Sequence, residues 1–203
     1  MECFKGISVL FRAPASSRLG SGNLSRVCSL AWYMQNQGAR VVVECETHEK
    51  FPSTFLKAFG FSEKVDSYDI LVTDGECQGA AGAFKNRGQL GDQIPSNCDA
   101  NILIDGVPFE KVSVQGVRHL KGVRYHLISP LLYPFKNKKR VRQGRSCLLN
   151  FGAADPGNCI EPVAHAMRQM GWKVKILAGM GFSKNRLLAL DHLDIYFPKH
   201  PGE

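Results

Sequence analysis

The stretch GISVLFRAPASSRLGSGNLSRVCSLAWYMQNQGARVVVEC, Gly6 to Cys45, decides the fold. It opens on GISVLFRA, a β-rich and apolar run of the kind a buried strand needs. A turn rich in serine and glycine follows, PASSRLGSGN. Beyond it Leu24, Val27, Leu30, Ala31 and Met34 recur at three- and four-residue spacing, which puts them on one face of an α-helix. Asn23 stands where a helix N-cap belongs, and Gly38 where the helix should stop. ARVVVEC is a second buried strand. Strand, turn, helix and strand make a β-loop-α-β unit. Strands joined through a helix run parallel, and that places the chain among α/β folds.

The same grammar extends outward. HEKFPSTFLKAFGF reads as partly helical, with Phe55, Leu56 and Phe59 inward. YDILVTDG is a third strand ending in Asp74, and ANILIDG a fourth ending in Asp105. Between them CQGAAGAFKNRGQLGDQIP, rich in glycine, reads as loop or weak helix, and VRYHLISPLLYPF reads as a short strand and turn. KNKKRVRQGR, Lys136 to Arg145, is polar, basic and turn-prone. A first domain is expected over 1–140, a basic linker over 141–145, and a second domain over 146–203. In that second domain SCLLNFG is a strand, AADPGN a turn, CIEPVAHAMRQMGW a helix, KVKILAG a strand, KNRLLALDHL a short helix and DIYFPK a strand. An isolated α/β domain of about 58 residues buries little surface. It is expected to pack on the first domain, to be completed by a partner chain, or to be the front part of a longer ancestral arrangement.

The chain has 203 residues, 44% of them hydrophobic and 22% charged, enough for a real core and inconsistent with disorder. Its formal charge of +8 favours anionic partners, among them nucleotides, phosphosugars, nucleic acids and acidic membrane surfaces. The basic run carries no interleaved aromatic residues for base stacking, so nucleic acid is not expected. Seven cysteines, odd in number and without a CxxC pair, read as reduced, buried thiols of a cytoplasmic protein rather than as a zinc site. No secretory signal and no membrane span are read from the sequence. Neither a metal nor another cofactor is called for.

The turn before the helix is the candidate site. Gly20 and Gly22 can take backbone angles closed to other residues and let a ligand approach closely. The helix after them would aim unpaired N–H groups at an anion. Arg26, one turn in, would hold phosphate or pair with an acidic side chain at the surface. The plainer reading, a tight strand-to-helix connection capped by Asn23, stands beside this one. Asp74 and Asp105 end strands, where open α/β sheets place ligands. His126 lies in an apolar segment and reads as a core histidine.

Five segments in order carry a family resemblance: VLFRAPASSRLGSGNLSRVCSLA, DILVTDG, NCDANILID, GVRYHLISPLLYPF and CLLNFGAADPGN. Together they resemble the PseG/SpsG-like nucleotide-sugar hydrolases, relatives of MurG-type glycosyltransferases with a GT-B arrangement. The first is similar to the family's strand, GxGHxxR turn and helix. The last is similar to the L-G-G-x-D-x-x-N strand and turn that opens its second domain. The resemblance implies a Rossmann-like parallel sheet of the GT-B N-terminal type, then a second Rossmann-like domain that is partial here. It implies a role in surface-glycan (pseudaminic or sialic-acid-like sugar) biosynthesis. The substrate would be a nucleotide-activated sugar held in the interdomain cleft, hydrolysed at the bond between its anomeric carbon and the nucleotide diphosphate. Gly20, Ser21, Gly22, Arg26, Asp74, Asp155 and Asn158 fall at the matching substrate-binding positions.

Two positions depart from the pattern. Asn23 stands at the family's histidine, and an amide cannot act as a base near neutral pH. Glu76 stands where a tyrosine is usual, as a carboxylate base in a rearranged site or as a solvated loop residue. Asp155 and Asn158 also read as turn formers that cap the following helix. Three functions follow: a hydrolase or glycosyltransferase-like enzyme, a non-catalytic sugar-nucleotide-binding module, or one subunit of a split GT-B enzyme completed by a second chain.

Overall fold

The computed structural model describes residues 3–16, 21–47, 56–57, 59–61, 64, 66–75, 84, 86–91, 99–106, 115–139, 144–152, 155–179, 182 and 193–196. The chain forms two compact units, Met1–Ala15 with Asn23–Pro130, and Ser16–Gly22 with Leu131–Glu203. The division at 130/131 comes ahead of the basic run. The chain is α/β, with a six-stranded parallel sheet in the first unit and a three-stranded parallel sheet in the second.

In the first unit β1 (Ser8–Pro14), α1 (Gly22–Asn36) and β2 (Arg40–Glu46) form the expected β-loop-α-β unit. α1 buries Leu24, Val27, Ala31 and Met34 of the stripe read from the spacing, with Cys28 and Ser29 beside them, while Leu30 is only half-buried. It stops as expected at Gly38, with Gly38 N–H on the Gln35 carbonyl at 3.0 Å and Ala39 N–H on that of Met34 at 3.1 Å. The strands continue with β3 (Ile70–Asp74), β4 (Asn86–Leu90), β5 (Ile102–Asp105) and β6 (Arg118–Lys121), in spatial order β2-β1-β3-β4-β5-β6. The register sets Leu10 beside Val42 and Leu71, and these three pack with Tyr68 and Phe84. Two residues further on, Arg12 faces Glu44 across the strands and pairs with it, Nε to Oε2 at 2.8 Å.

Two strands correct the sequence reading. NRGQL, taken as loop or weak helix, is β4, a central strand. Its buried polar residue is satisfied inside the sheet: Gln89 accepts a hydrogen bond from Thr73 Oγ1 at 2.5 Å and donates to the Leu90 carbonyl at 3.1 Å. RHLK is β6, and the strand expected over VRYHLISPLLYPF is instead two 3-10 turns, Val123–Tyr125 and Pro130–Phe135. The expected helices HEKFPSTFLKAFGF and KNRLLALDHL lie for the most part outside the described residues.

The described strands and helix of the second unit follow their reading. β7 (Ser146–Leu149), α2 (Ile160–Gln169), β8 (Lys173–Leu177) and β9 (Ile195–Tyr196) build a sheet of order β7-β8-β9. Ile160, Ala164, Val174, Ile176, Ala178, Phe182 and Leu193 form its core, with Trp172 and Met167 against it.

Candidate functional site

β3 ends on Asp74, which is 1% exposed. A buried carboxylate needs a charged or hydrogen-bonding partner, and α1 supplies one. Arg26 donates from Nε to Asp74 Oδ2 at 2.7 Å and from Nη2 to Oδ1 at 2.9 Å, a two-pronged pair. The same Nη2 donates to Asn23 Oδ1 at 2.9 Å. The order β2-β1-β3 turns the chain back at β1, so the carboxyl ends of β1 and β3 flank the switch point, where open α/β sheets receive ligands. Asn23, Arg26 and Asp74 meet there.

Two glycines make that meeting sterically possible. Gly91, just past β4, has φ +105°, and a Cβ on it would sit 2.9 Å from Asp74 Oδ1 and 3.3 Å from Arg26 Nη2. Gly75, just past β3, has φ +77°, and a Cβ there would lie 2.7 Å from Asn23 Nδ2. Both conformations are costly for any other residue, and both added methyls would press into the polar cluster. Gln89 steadies the turn after β3, its Nε2 reaching the Gly75 carbonyl at 3.4 Å.

β5 ends on Asp105, 3% exposed. Its carbonyl accepts from Gly122 N–H at 2.9 Å, which ties the end of β5 to the turn after β6. His119 Nε2, on β6, lies 3.8 Å from Asp105 Oδ2 and is buried with no hydrogen bond among the described residues. Arg26, Asp105, Gly106, Tyr125 and His126 line a small cavity of about 30 Å³ at this edge.

The structure therefore joins three of the residues singled out in the sequence. Asn23 is not the cap: α1 already starts at Gly22, so Asn23 sits in the first turn and gives its carbonyl oxygen to Arg26. Of the two roles read for Arg26, the pairing with an acid is formed, and the acid is buried Asp74 rather than a surface group. Ser21 and Gly22 lead directly into α1. Gly20 and Glu76 lie outside the described residues.

Asp155 and Asn158 belong to the turn before α2. Asp155 is 1% exposed, accepts from Cys159 N–H at 2.9 Å on Oδ1 and from Ile160 N–H at 3.1 Å on Oδ2. Its carboxylate thus occupies the start of α2, where an external anion would otherwise be attracted. Asn158 is exposed, at φ +51°, with its N–H on the Asp155 carbonyl at 3.0 Å. A wider cavity of about 330 Å³ in this unit has Glu161, His165 and Arg168 of α2 in its described lining, and neither Asp155 nor Asn158.

Sequence reasoning did not find Gly75, Gly91 or Tyr125. The signal was available in part: Asp-Gly closes both YDILVTDG and ANILIDG. His126, read as a core histidine, is instead exposed at the cavity. The thiols differ as well: Cys28 is buried, but Cys3 and Cys159 are exposed. Among the described residues no three His, Cys, Asp or Glu side chains are grouped to hold a metal ion, and no helix is long and apolar enough to cross a membrane. No protein-family model matches the chain and no curated protein does, so its function must be read from the fold and from this cluster at the carboxyl edge of the sheet.

Proposed function

We propose that the chain binds a nucleotide-activated sugar at the carboxyl edge of the six-stranded sheet, as a member or relative of the nucleotide-sugar hydrolases it resembles. The observation that carries this reading is the Asn23–Arg26–Asp74 cluster at the β1/β3 switch point. Arg26 is committed to Asp74, so its work is to fix α1 against the end of β3. That fixes the direction of the first N–H groups of α1, which carry the positive end of the helix dipole. An anionic or sugar hydroxyl group suits such a place, and the basic chain as a whole attracts anions. The identity of the ligand as a nucleotide sugar comes from the five-segment resemblance.

Position 23 favours binding over chemistry at that point. The Asn23 carbonyl is already an acceptor for Arg26, and its amide has no proton-accepting group to offer water. The test is a titration of UDP-, CMP- and GDP-sugars against the purified chain, followed by melting temperature. A ligand raises stability with the logarithm of its concentration above its dissociation constant. A rise with one nucleotide class and not the others is expected; no rise with any of the three removes the proposal.

A further inference from the structure

We infer that His126 is the proton acceptor of a hydrolytic site in this cavity, a role Asn23 cannot fill; this inference rests on the nucleotide-sugar reading above. Three observations lead to it. First, a cavity of about 30 Å³, room enough for a water molecule, lies beside His126, with Arg26, Asp105 and Tyr125 also in its described lining. Second, the position of His126 is built in. Gly122 N–H is bonded to the Asp105 carbonyl at 2.9 Å, Tyr125 N–H to that of Gly122 at 2.9 Å, and His126 N–H to that of Val123 at 3.1 Å. Those bonds fold the turn after β6 back onto the end of β5. There a Cβ on Gly106 would come within 2.8 Å of His126 Cα and 2.7 Å of its Nδ1. Only glycine at 106 lets the histidine sit so close. Third, His126 is an exposed residue at the cavity, within reach of a ligand and of solvent, unlike buried Asp105.

Histidine is the side chain suited to exchanging a proton near neutral pH. In the step inferred, an imidazole nitrogen of His126 takes one proton from the water. The water oxygen forms a bond to the anomeric carbon of the sugar. The bond from that carbon to the phosphate oxygen breaks, its electron pair leaving on the nucleotide phosphate. The histidine then returns its proton to solvent or to the departing phosphate. The free sugar, as its hemiacetal or hemiketal, and the free nucleotide result, with no oxidant or further reactant. Among the described residues, the ionisable groups sharing the cavity with His126 are Asp105 from β5, Tyr125 from the same turn and Arg26 from α1.

The experiment uses the full chain with UDP-N-acetylglucosamine, GDP-mannose and CMP-N-acetylneuraminate as probes. Melting shifts report binding, and chromatography of the released nucleotide between pH 5 and 9 reports turnover. His126→Gln is expected to lower release by about a hundredfold or more and to abolish its fall on the acid side, while the melting shift stays within threefold of the same affinity. Gly106→Ala is expected to lower kcat more than it raises KM. Proton NMR of the imidazole resonances, with the His126 signal assigned by its loss in His126→Gln, is expected to show that signal moving as a bound probe is added. A wild-type melting shift without nucleotide release overturns the histidine role and leaves the binding reading intact. So does release that His126→Gln leaves unchanged, or a histidine signal that does not move. No shift with any probe overturns both.

Discussion

Arg26 Nε and Nη2 each meet one oxygen of the Asp74 carboxylate, at 2.7 and 2.9 Å, across the gap between α1 and the end of β3. The carboxylate is almost wholly buried, so the pair is a packing element as much as an electrostatic one. Removing the arginine alone leaves a buried charge without its two-pronged partner. Arg26→Ala is expected to cost about 3–5 kcal/mol of unfolding free energy. The double variant Arg26→Met with Asp74→Leu is expected to lose much less, because no charge is stranded. Urea unfolding of the two variants checks this; equal losses would show that the pair is not what holds the region.

The glycines around the cluster separate crowding from backbone strain. Gly116 has φ +79° with nothing near an added Cβ, whereas Gly91 has φ +105° with Asp74 and Arg26 close to it. Gly116→Ala is expected to cost about 1–2 kcal/mol, the left-handed penalty alone. Gly91→Ala is expected to cost more than that and also to weaken nucleotide-sugar binding. Denaturant midpoints and melting shifts measured on both variants decide it.

Asp155 provides a contrast in the second unit. Asp155→Ala frees the Cys159 and Ile160 N–H groups at the start of α2, and a loss of about 1–2 kcal/mol follows from the missing cap. Affinity for a nucleotide sugar is expected to be unchanged, because both carboxylate oxygens already serve the helix. A tenfold loss of affinity with unaltered stability would assign Asp155 to the ligand instead.

Thiol reactivity follows burial. Burial pushes the Cys28 thiol far above its ordinary range, and the neighbouring Cys45 adds to the shift. Cys45 is itself raised, again chiefly by burial. Only the thiolate reacts, so at pH 8 iodoacetamide is expected to label exposed Cys159 well before Cys28 in the folded chain. Peptide mass spectrometry across a time course reads the order. Early labelling of Cys28 would mean that α1 opens readily.

Acid should loosen the start of the sheet. The Ser8 N–H, and secondly the Ser8 hydroxyl, hold the Asp69 carboxyl below its usual range, at 2.7 and 3.0 Å. A depressed carboxyl contributes its stability above the unfolded value, about pH 4, and loses it as pH falls through the folded value. Asp69→Asn is therefore expected to narrow the gap in melting temperature between pH 7 and pH 3. A gap as wide as that of the unaltered chain would clear Asp69 of any part in it.

Apolar periodicity made β1, α1, β2, β3, β5 and the whole of β7-α2-β8 readable in advance. It failed at NRGQL and RHLK, where the register of neighbouring strands, not composition, makes a strand. Gln89 is satisfied by Thr73 and by the Gly75 and Leu90 carbonyls, and local sequence does not reveal the partners on the neighbouring strand. The candidate site divided in the same way. Asn23 and Arg26 were visible because they follow a glycine turn, and Asp74 because it ends a strand. The Arg26–Asp74 pair was not, since it links positions 48 apart in the chain. His126 was misplaced because apolar neighbours in sequence said nothing of the glycine at 106 that brings it to the surface of β5.

The strand order also sets a timetable for synthesis. β1 pairs with β2 through a short local excursion, but its other edge accepts β3, whose residues arrive much later. At about 5–20 residues per second on a ribosome, a nascent chain that has finished Glu46 must wait about a second or longer for Asp74. Over that interval the inner strand of the finished sheet is an edge, apolar and unprotected. The segment from Val9 to Ala13 is thus where a chaperone, or a second nascent copy, would find this protein first.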